Sequence, residues 1–463
     1  MLLSRYKDIP SSISTFRKPG KNPMLFLIKS YAVLIGVGTI LLCCPFSLQK
    51  EISILDAFFT ATSAVCVTGL ATVDIGSTFS HVGLWILMVL IQIGGLGIMT
   101  FSTAILLLSG MKPGFNQQTL FKSGFASEGN IEPKKILSAV LPFTIVLEGL
   151  GMSALFSQFG HLPLDERILY SAFHAVSAFC NAGFSPFGNS LMDFQFNPVV
   201  CLVIILLVLS GGLGFLSMSE IKNLFDFKTK TIQKISLHTK IALIATLVIV
   251  LVEMFSVLAI EWNGAFDGQN WAEKLLSSAF VALSSRTAGF NTINPLTLRE
   301  TSVIIIIAAM FIGASPGSCG GGLKTTTAAV IALLGFNRLR GREKTQVMGR
   351  TIPEETVDKA VRIFIVYILL ALLGTLVLLF TEFPGGAIGS SQSHFVRVFF
   401  EVVSALSTCG LSLGMTPELS AFGKAFLCIF MFVGRMGALF LISAVVKKRD
   451  GGVWYAEEDI MVG

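Results

Sequence analysis

The sequence predicts an all-α integral membrane protein built from four tandem helix–pore loop–helix repeats, related by pseudo-fourfold symmetry around a central pathway. Three observations indicate this fold class. The chain is 53% hydrophobic and only 13% charged, whereas a soluble domain carries about 25% charged residues. Long apolar segments recur along the chain. A shorter apolar stretch with a glycine at its end lies in each outer loop.

Eight segments are apolar over a length that can cross a bilayer, because a spanning helix needs about 20 apolar residues. The segment 82–109 contains no Asp, Glu, Lys or Arg. The eight predicted spans are 25–46, 82–109, 136–158, 197–220, 241–260, 302–334, 363–381 and 425–446. Since the number of spans is even, both termini are expected on the same side of the membrane.

The distribution of Lys and Arg predicts which side that is. The segments on the side of the termini hold 23 of the 34 basic residues, and the opposite loops hold six. Cytoplasmic loops carry the excess of basic residues, so the termini are expected in the cytoplasm. The net charge of +6 therefore reflects topology and does not indicate nucleic-acid binding. The eight cysteines form no CxxC pair, which disfavours a disulfide framework or a zinc site.

The short apolar stretches are too short to span and are typical of re-entrant segments. A serine precedes the glycine of each stretch by six residues, or by five in the third copy. The glycines are Gly69, Gly183, Gly289 and Gly410, which lie 114, 106 and 121 residues apart. A glycine-containing break is predicted in each following span, at Gly94–Gly95, Gly211–Gly212, Gly313 and Gly434. Two spans per unit give all four units one orientation, as in other parallel repeats.

The repeats divide the chain into six segments. These are a cytoplasmic N-terminal segment 1–24, repeats at 25–110, 111–223, 224–340 and 341–446, and a cytoplasmic tail 447–463. The tail turns acidic and apolar after a basic run, and a disordered tail is usually more polar. Residues 454–463 are therefore expected to pack into a subunit interface.

The loop after each short stretch has the properties of an ion filter. A short helix followed by an extended strand directs carbonyl oxygens at a central axis, where four strands replace the hydration shell of a cation. The residues at these positions are neutral, which favours a large, weakly hydrated monovalent cation over Ca²⁺ or Mg²⁺. The candidate filter residues are Val67, Thr68, Gly69, Asn181, Ala182, Gly183, Thr287, Ala288, Gly289, Thr408, Cys409 and Gly410, with the ion at the four glycines.

One alternative stays open for these loops. Four tight helix–turn–helix corners would also place a glycine at each turn. Arg286, three residues before Gly289, is expected to brace the third short helix, with Glu401 as a candidate partner.

The sixth span contains GASPGSCGGG at residues 313–322, with five glycines and a proline, and this run must interrupt a helix. Irregular backbone at membrane depth is tolerable where it faces a wet cavity. A gating loop below the filter is expected, and a flexible kink without gating is the alternative. The candidate gate residues are Gly313, Ala314, Ser315, Pro316, Gly317, Ser318, Gly320, Gly321, Gly322, Lys324 and Arg435.

Lys324 and Arg435 are cations within apolar spans, where a charge is costly and usually functional. Arg435 is expected to restrain the loop through electrostatics or carbonyl bonds. A structural pair with Glu148 or Glu253 is the alternative for Arg435. For Lys324 the alternative is that its ammonium group extends to the cytoplasm.

The motifs resemble those of the Trk/Ktr/HKT superfamily of potassium transporters. The matching segments are VTGL at 67–70, SAFCNAGFS at 177–185, SRTAGFN at 285–291, STCGLSLGMTPEL at 407–419, IQIGGLGIMTF at 91–101, SLHTK at 236–240 and GRMGALF at 434–440. The resemblance covers the chain from about residue 25 onward. It implies K⁺ uptake across the cytoplasmic membrane of a prokaryote by channel-like conduction, with Na⁺ dependence left open. A glycine at all four filter positions resembles the potassium-selective members, whereas a serine in the first loop marks Na⁺-preferring relatives.

The resemblance also implies an assembly. It predicts a homodimer in the lipid bilayer, each subunit with its own pore, bound to a cytosolic RCK-type nucleotide-binding ring of the KtrA or TrkA type. No cofactor is expected on this chain apart from K⁺ as the transported ion. ATP/ADP or NAD(H) is expected on the regulatory ring.

The sequence disfavours two other functional classes. A secondary carrier working by alternating access would favour inverted repeats, whereas these repeats are parallel. An enzyme is not expected, since the sequence has no HExxH motif and its five histidines are scattered.

Overall fold

The structure is a computed structural model that describes residues 23–108, 133–224, 235–384 and 394–437. The predicted N-terminal segment 1–24 falls almost wholly outside these ranges. The predicted tail 447–463 falls entirely outside them, and so does the expected interface role of residues 454–463.

The described chain repeats one element order four times: an outer helix, a short loop helix, a non-helical strand and an inner helix. The outer helices are Pro23–Cys43, Pro133–Gln158, Leu237–Glu261 and Glu354–Glu382. The loop helices are Ile54–Cys66, Leu164–Phe179, Trp271–Ser284 and His394–Ser407. The inner helices are His81–Leu108, Pro198–Gly212 continued by Phe215–Leu224, Glu300–Phe311 continued by Thr325–Leu339, and Ala421–Met436. We call these four sets groups 1 to 4.

Three described helices are long and apolar enough to cross a membrane as single elements: Val140–Gln158, Leu237–Glu261 and Glu354–Glu382. All three belong to outer helices. Two of the predicted inner spans are interrupted helices. The predicted span 302–334 consists of two helices separated by residues 312–324, and the predicted span 197–220 breaks between Gly212 and Phe215.

The packing order of the groups closes on itself. The inner helix of group 1 packs on the loop helix of group 2, and the same relation joins group 2 to 3 and group 3 to 4. The inner helix of group 4 packs on the loop helix of group 1. A half-buried ion pair supports this last contact, because Lys424 at the start of that inner helix lies 2.9 Å from Asp56 in the first loop helix.

Two large hydrophobic clusters lie within this arrangement. One joins groups 1 and 2 to the third loop helix and includes Phe179 and Phe290. The other joins groups 3 and 4 to the first loop helix through Phe59 and Leu70. Each cluster therefore spans the boundary between neighbouring groups. Groups 3 and 4 are connected on one side by a two-stranded hairpin, Gln346–Val347 paired antiparallel with Arg350–Thr351.

The breaks of three inner helices differ in position from the prediction. Gly97, Gly214 and Gly437 have φ angles of 78°, 85° and 82° and mark the actual breaks. Each lies three residues beyond the glycine at which the break was predicted. In the third inner helix the prediction is confirmed, since the helix ends at Phe311 just before Gly313.

The glycines predicted as breaks serve another purpose in those three helices. A Cβ atom on Gly94, Gly211 or Gly434 would collide with the backbone carbonyl of Val65, Phe179 or Leu406, respectively. Each of these carbonyls lies four residues before the loop glycine of the same group. Glycine is therefore required because the inner helix contacts the end of its loop helix backbone to backbone.

We expect Gly94→Ala to destabilise the protein by about 1–3 kcal/mol, because the new methyl group overlaps the Val65 backbone and forces the two helices apart. Thermal melting in detergent measures the effect. The matched control is Gly149→Ala in an outer helix, where a Cβ meets nothing within 4 Å. The control is expected to be neutral or slightly stabilising, since alanine favours a helix over glycine by about 1 kcal/mol. Equal melting temperatures for the two variants would contradict the close contact.

Candidate functional site

The four loop helices end in strands with the same backbone conformation. We call these ring strands 1 to 4, residues 67–70, 181–184, 287–290 and 408–411. Their glycines Gly69, Gly183, Gly289 and Gly410 have φ angles of 95°, 69°, 76° and 92°. Two residues earlier, Val67, Asn181, Thr287 and Thr408 have φ angles of 57°, 59°, 66° and 51°. Positive φ is unusual for β-branched residues and persists only where the surrounding structure enforces it.

The four glycines form a closed ring. A Cβ on Gly69 would lie 3.3 Å from the Cα of Gly183, and one on Gly183 would lie 2.8 Å from the Cα of Gly289. A Cβ on Gly289 would lie 3.3 Å from the Cα of Gly410, and one on Gly410 would lie 3.0 Å from the Cα of Gly69. Each built Cβ also meets the carbonyl oxygen of the residue preceding the next glycine. No side chain fits at these positions without displacing a neighbouring strand.

Four serines support the ring strands. Ser63 and Ser404 accept the backbone N–H of Gly69 and Gly410, both at 3.1 Å. Ser177 and Ser284 instead donate to the carbonyls that follow the other two glycines, on Phe184 and Phe290. The carbonyl oxygen of each serine also accepts a backbone N–H five residues later, on Thr68, Ala182, Gly289 and Cys409. The sequence pattern revealed these serines through their spacing of five or six residues before the glycine, but it did not reveal that they brace the strands.

The ring is buried and uncharged. The eight non-glycine residues of the predicted filter are at most 1% exposed. Neighbouring strands are also linked: the side-chain amide of Asn181 and the hydroxyl of Thr287 are hydrogen-bonded at 3.3 Å. The thiol of Cys409 donates to the carbonyl of Ser285 at 3.1 Å. The structure thus brings all twelve predicted filter residues together in one neutral cluster.

Residues 312–324, which we call the glycine loop, interrupt the third inner helix. The ends of the loop meet at a neck, where Ile312 and Leu323 form a parallel bridge. At the neck Thr325 donates its N–H to Ala314 O at 3.2 Å and its hydroxyl to Gly313 O at 2.9 Å. The loop is therefore a closed excursion rather than a simple kink.

The glycine loop lies against the ends of ring strands 3 and 4 that adjoin the loop helices. Gly321 donates its N–H to the hydroxyl of Thr408 at 2.9 Å. A Cβ on Gly320 would collide with the hydroxyl of Thr287. The loop helices lead into this end of the ring. The glycine loop therefore lies at the end where the ring strands begin, and the strands leave the ring at the opposite end.

Backbone bonds also join the glycine loop to the second inner helix. Ser315 and Cys319 donate their N–H groups to Gly212 O and Gly211 O, both at 3.1 Å. Phe215 donates its N–H to Gly317 O at 3.0 Å. The break between Gly212 and Phe215 thus supplies partners for the loop, so the two irregular segments satisfy each other.

Arg435 connects the glycine loop to two groups. Its guanidinium donates to the carbonyl of Cys319 in the loop and to the carbonyls of Gly94 and Gly95 in the first inner helix. Arg435 therefore bonds to backbone carbonyls and does not pair with Glu148 or Glu253, which was the alternative. Lys324 is half-buried, and its ammonium group donates to Gly320 O at 2.7 Å, so it stays within the loop.

The hydrogen-bond partners of the buried residues Arg286 and Glu401 differ from the expectation. Arg286 does not pair with Glu401, because the Glu401 carboxylate accepts hydrogen bonds from Ser412 and Thr416. Arg286 instead donates to Gly313 O at 3.2 Å and to the Thr325 hydroxyl at 2.8 Å. Sequence reasoning missed this contact, because Arg286 and Gly313 lie 27 residues apart in the chain and no local pattern links them.

The sequence profile of a family described as "TrkH: Cation transport protein" matches residues 14–453 of the chain. The Ktr system potassium uptake protein B of Bacillus subtilis is 34% identical over 446 residues, which cover 95% of this chain and 97% of that protein. The potassium/sodium uptake protein NtpJ of Enterococcus hirae is 33% identical over 450 residues, covering 96% and 97% of the two chains.

A solved structure has the same fold. The crystal structure of the potassium transporter TrkH from Vibrio parahaemolyticus superposes with a TM-score of 0.72 at 20% sequence identity. The match covers 93% of this chain and 86% of that one. The similarity therefore extends over nearly the whole architecture, including all four groups of helices.

Proposed function

This chain belongs to the TrkH family of cation transport proteins, and on that premise we propose that it carries K⁺ into a prokaryotic cell. It does so by channel-like conduction through the cytoplasmic membrane. Two relatives at 33–34% identity are named as a potassium uptake protein and a potassium/sodium uptake protein. The second name keeps Na⁺ as a possible co-substrate or activator.

The single observation that carries the proposal is the closed ring of four glycine strands. In a filter of this kind, backbone carbonyls replace the hydration shell of the ion. The eight other filter residues are neutral and buried, so the coordinating chemistry is carbonyl oxygen. The loop helices end at the ring, and their negative C-terminal ends favour a cation there. Together these features suit K⁺ better than a divalent ion.

The four groups are proposed to surround one pore with pseudo-fourfold symmetry. The cyclic packing of each inner helix on the next loop helix supports this arrangement. The shared left-handed conformation of the four ring strands supports it as well. The pathway then runs along the axis of the ring, and the glycine loop lies across it on the inner side.

A secondary carrier for an organic solute is the competing function. Carriers that work by alternating access commonly have inverted repeats and a substrate site between the halves. Here each repeat contains two helices of the spanning type, one outer and one inner, so successive repeats keep one orientation. The parallel order supports a conduction pathway over a rocking carrier.

The glycine loop is proposed as the gate. Its glycines pack against Thr287 and Thr408 at the inner end of the ring, where it obstructs the pathway in the described conformation. Arg435 holds the tip of the loop through the carbonyl of Cys319. A gate of this kind needs only a few kcal/mol between its closed and open states.

The proposed assembly is a homodimer with both termini in the cytoplasm, regulated by a cytosolic RCK-type ring that binds ATP/ADP or NAD(H). The excess of basic residues on the side of the termini supports the orientation. The hairpin at residues 346–351 lies on that side and exposes Met348 at its turn and Leu339 just before it. This segment is a candidate surface for the ring.

We expect the protein in liposomes to pass K⁺ and Rb⁺ in preference to Na⁺ and Li⁺, as measured by isotope flux. Gly69→Ser should weaken that preference, because any side chain at this position meets the backbone of ring strand 2. Gly36→Ala is the matched control, since a Cβ at that outer-helix glycine meets nothing within 4 Å. Equal Na⁺ and K⁺ flux through the native protein would refute the proposed filter.

Arg435→Ala, or deletion of several residues from 315–321, should raise K⁺ flux and weaken control by the regulatory ring. The reason is that a hydrogen bond to a charged group contributes about 1.5–3 kcal/mol, and Arg435 makes such a bond to the loop tip. Selectivity should change little, because the ring strands keep their braces. Arg397→Ala is the control, since that arginine forms an exposed pair with Glu418. A large loss of selectivity with unchanged flux would place the loop in the filter instead.

A further inference from the structure

We propose that Arg286 is a positioning residue that couples the third ring strand to the neck of the glycine loop, so that release of the neck also relaxes ion selectivity. This inference rests on the proposed function and adds a regulatory link between the filter and the gate. It separates two parts of the glycine loop: the tip, which Arg435 holds, and the neck, which Arg286 holds.

Arg286 contacts both ends of the glycine loop at once. One nitrogen, Nη2, donates to Gly313 O at 3.2 Å and to the Thr325 hydroxyl at 2.8 Å. The Thr325 hydroxyl in turn donates to Gly313 O at 2.9 Å. These three bonds form one compact triangle at the neck. Opening the neck therefore requires either breaking the bonds or moving Arg286.

Arg286 is also fixed to the ring, because the next residue in the chain is Thr287. Thr287 has a φ of 66° and is completely buried, a conformation that a β-branched residue keeps only under constraint. Its hydroxyl bonds to the side chain of Asn181 in ring strand 2 and lies where a Cβ on Gly320 would sit. A displacement of Arg286 thus reaches two ring strands directly.

A buried carboxyl group in a third element interacts with Arg286. Arg286 is 7% exposed and Glu253 in the third outer helix is 2% exposed. The two side chains interact electrostatically, and Glu253 also accepts a hydrogen bond from Ser285 at 2.8 Å. Through Ser285 the third outer helix is therefore linked to the residue that directly precedes Arg286.

The position of Arg286 within the repeat supports a special role. The residue three before the loop glycine is Cys66 in group 1, Cys180 in group 2 and Ser407 in group 4. Only group 3 has a charged residue there, and among the described inner helices only that of group 3 is interrupted by a loop of this length. The charge and the loop therefore occur together in the same group.

The test uses Thr325→Val, which removes the hydroxyl at the neck with almost no change of shape and leaves Arg286 intact. The full-length protein is reconstituted in liposomes, and K⁺ and Na⁺ flux are measured separately. The variant is expected to raise K⁺ flux and to lower the K⁺/Na⁺ ratio, each by about tenfold or more, the range that loss of one hydrogen bond to a charged group produces. Thr325→Ser should restore both values, because it restores the hydroxyl.

Two matched controls separate the neck from its surroundings. Thr326→Val changes the next threonine of the same helix, whose hydroxyl is not part of the neck triangle, and should leave both quantities unchanged. Arg435→Ala releases the tip of the loop and should raise flux without lowering the ratio. The double variant Arg286→Gln/Thr325→Val should resemble Arg286→Gln alone, since two changes to one contact are not additive.

The outcomes are distinguishable. A selective native protein in which Thr325→Val changes flux but not the K⁺/Na⁺ ratio overturns the coupling and leaves the proposed gate intact. No change in either quantity removes the neck from the gate altogether and also overturns the coupling. A native protein without K⁺ selectivity refutes the proposed function itself, and with it this inference. Thermal melting of each variant shows whether a loss of flux reflects unfolding.

Discussion

Four stretches of non-helical backbone inside an apolar protein must each find hydrogen-bond partners, and most of the structure around them supplies those partners. A buried peptide group without a partner costs about as much as a lost hydrogen bond. The serine hydroxyls and serine carbonyls at the ends of the loop helices meet this need in all four ring strands. The glycine loop and the broken second inner helix meet it by bonding to each other. Non-helical backbone can therefore lie inside this apolar protein without destabilising the fold.

Close backbone contact is the second requirement, and it depends on glycine at two levels. At the ring, Gly69, Gly183, Gly289 and Gly410 let four strands approach until no side chain fits between them. At the inner helices, glycines such as Gly211 let helix backbone touch the carbonyl end of a loop helix. The contact between an inner helix and its loop helix fixes where that loop helix ends, and this in turn fixes where the ring strand begins. A substitution at the ring glycines or at the inner-helix glycines is therefore expected to disturb the ring.

Much of this architecture follows from the sequence. The recurring spacing of a serine and a glycine predicted the positions of all four loop helices and ring strands. This spacing recurs because hydrogen bonding fixes the serine and close backbone contact fixes the glycine. It also located the glycine loop, since five glycines and a proline cannot continue a helix. Helix breaks were displaced by three residues at Gly97, Gly214 and Gly437, because the sequence does not distinguish a glycine needed for close packing from one needed for a positive φ. Contacts of buried charges, such as that of Arg286 with the loop neck, depend on tertiary structure and have no local signal in the sequence.

The central claim is that the ring of four strands is where the transported ion loses its hydration shell. A structure of the protein determined in Rb⁺, with anomalous scattering or difference density against a matched sample in Na⁺, tests this most directly. The account predicts rubidium density on the axis of the ring, coordinated by carbonyl oxygens of Thr68, Ala182, Ala288 and Cys409, and no equivalent density in Na⁺. Absence of ion density from the ring in Rb⁺, with density at another position along the protein, would contradict it.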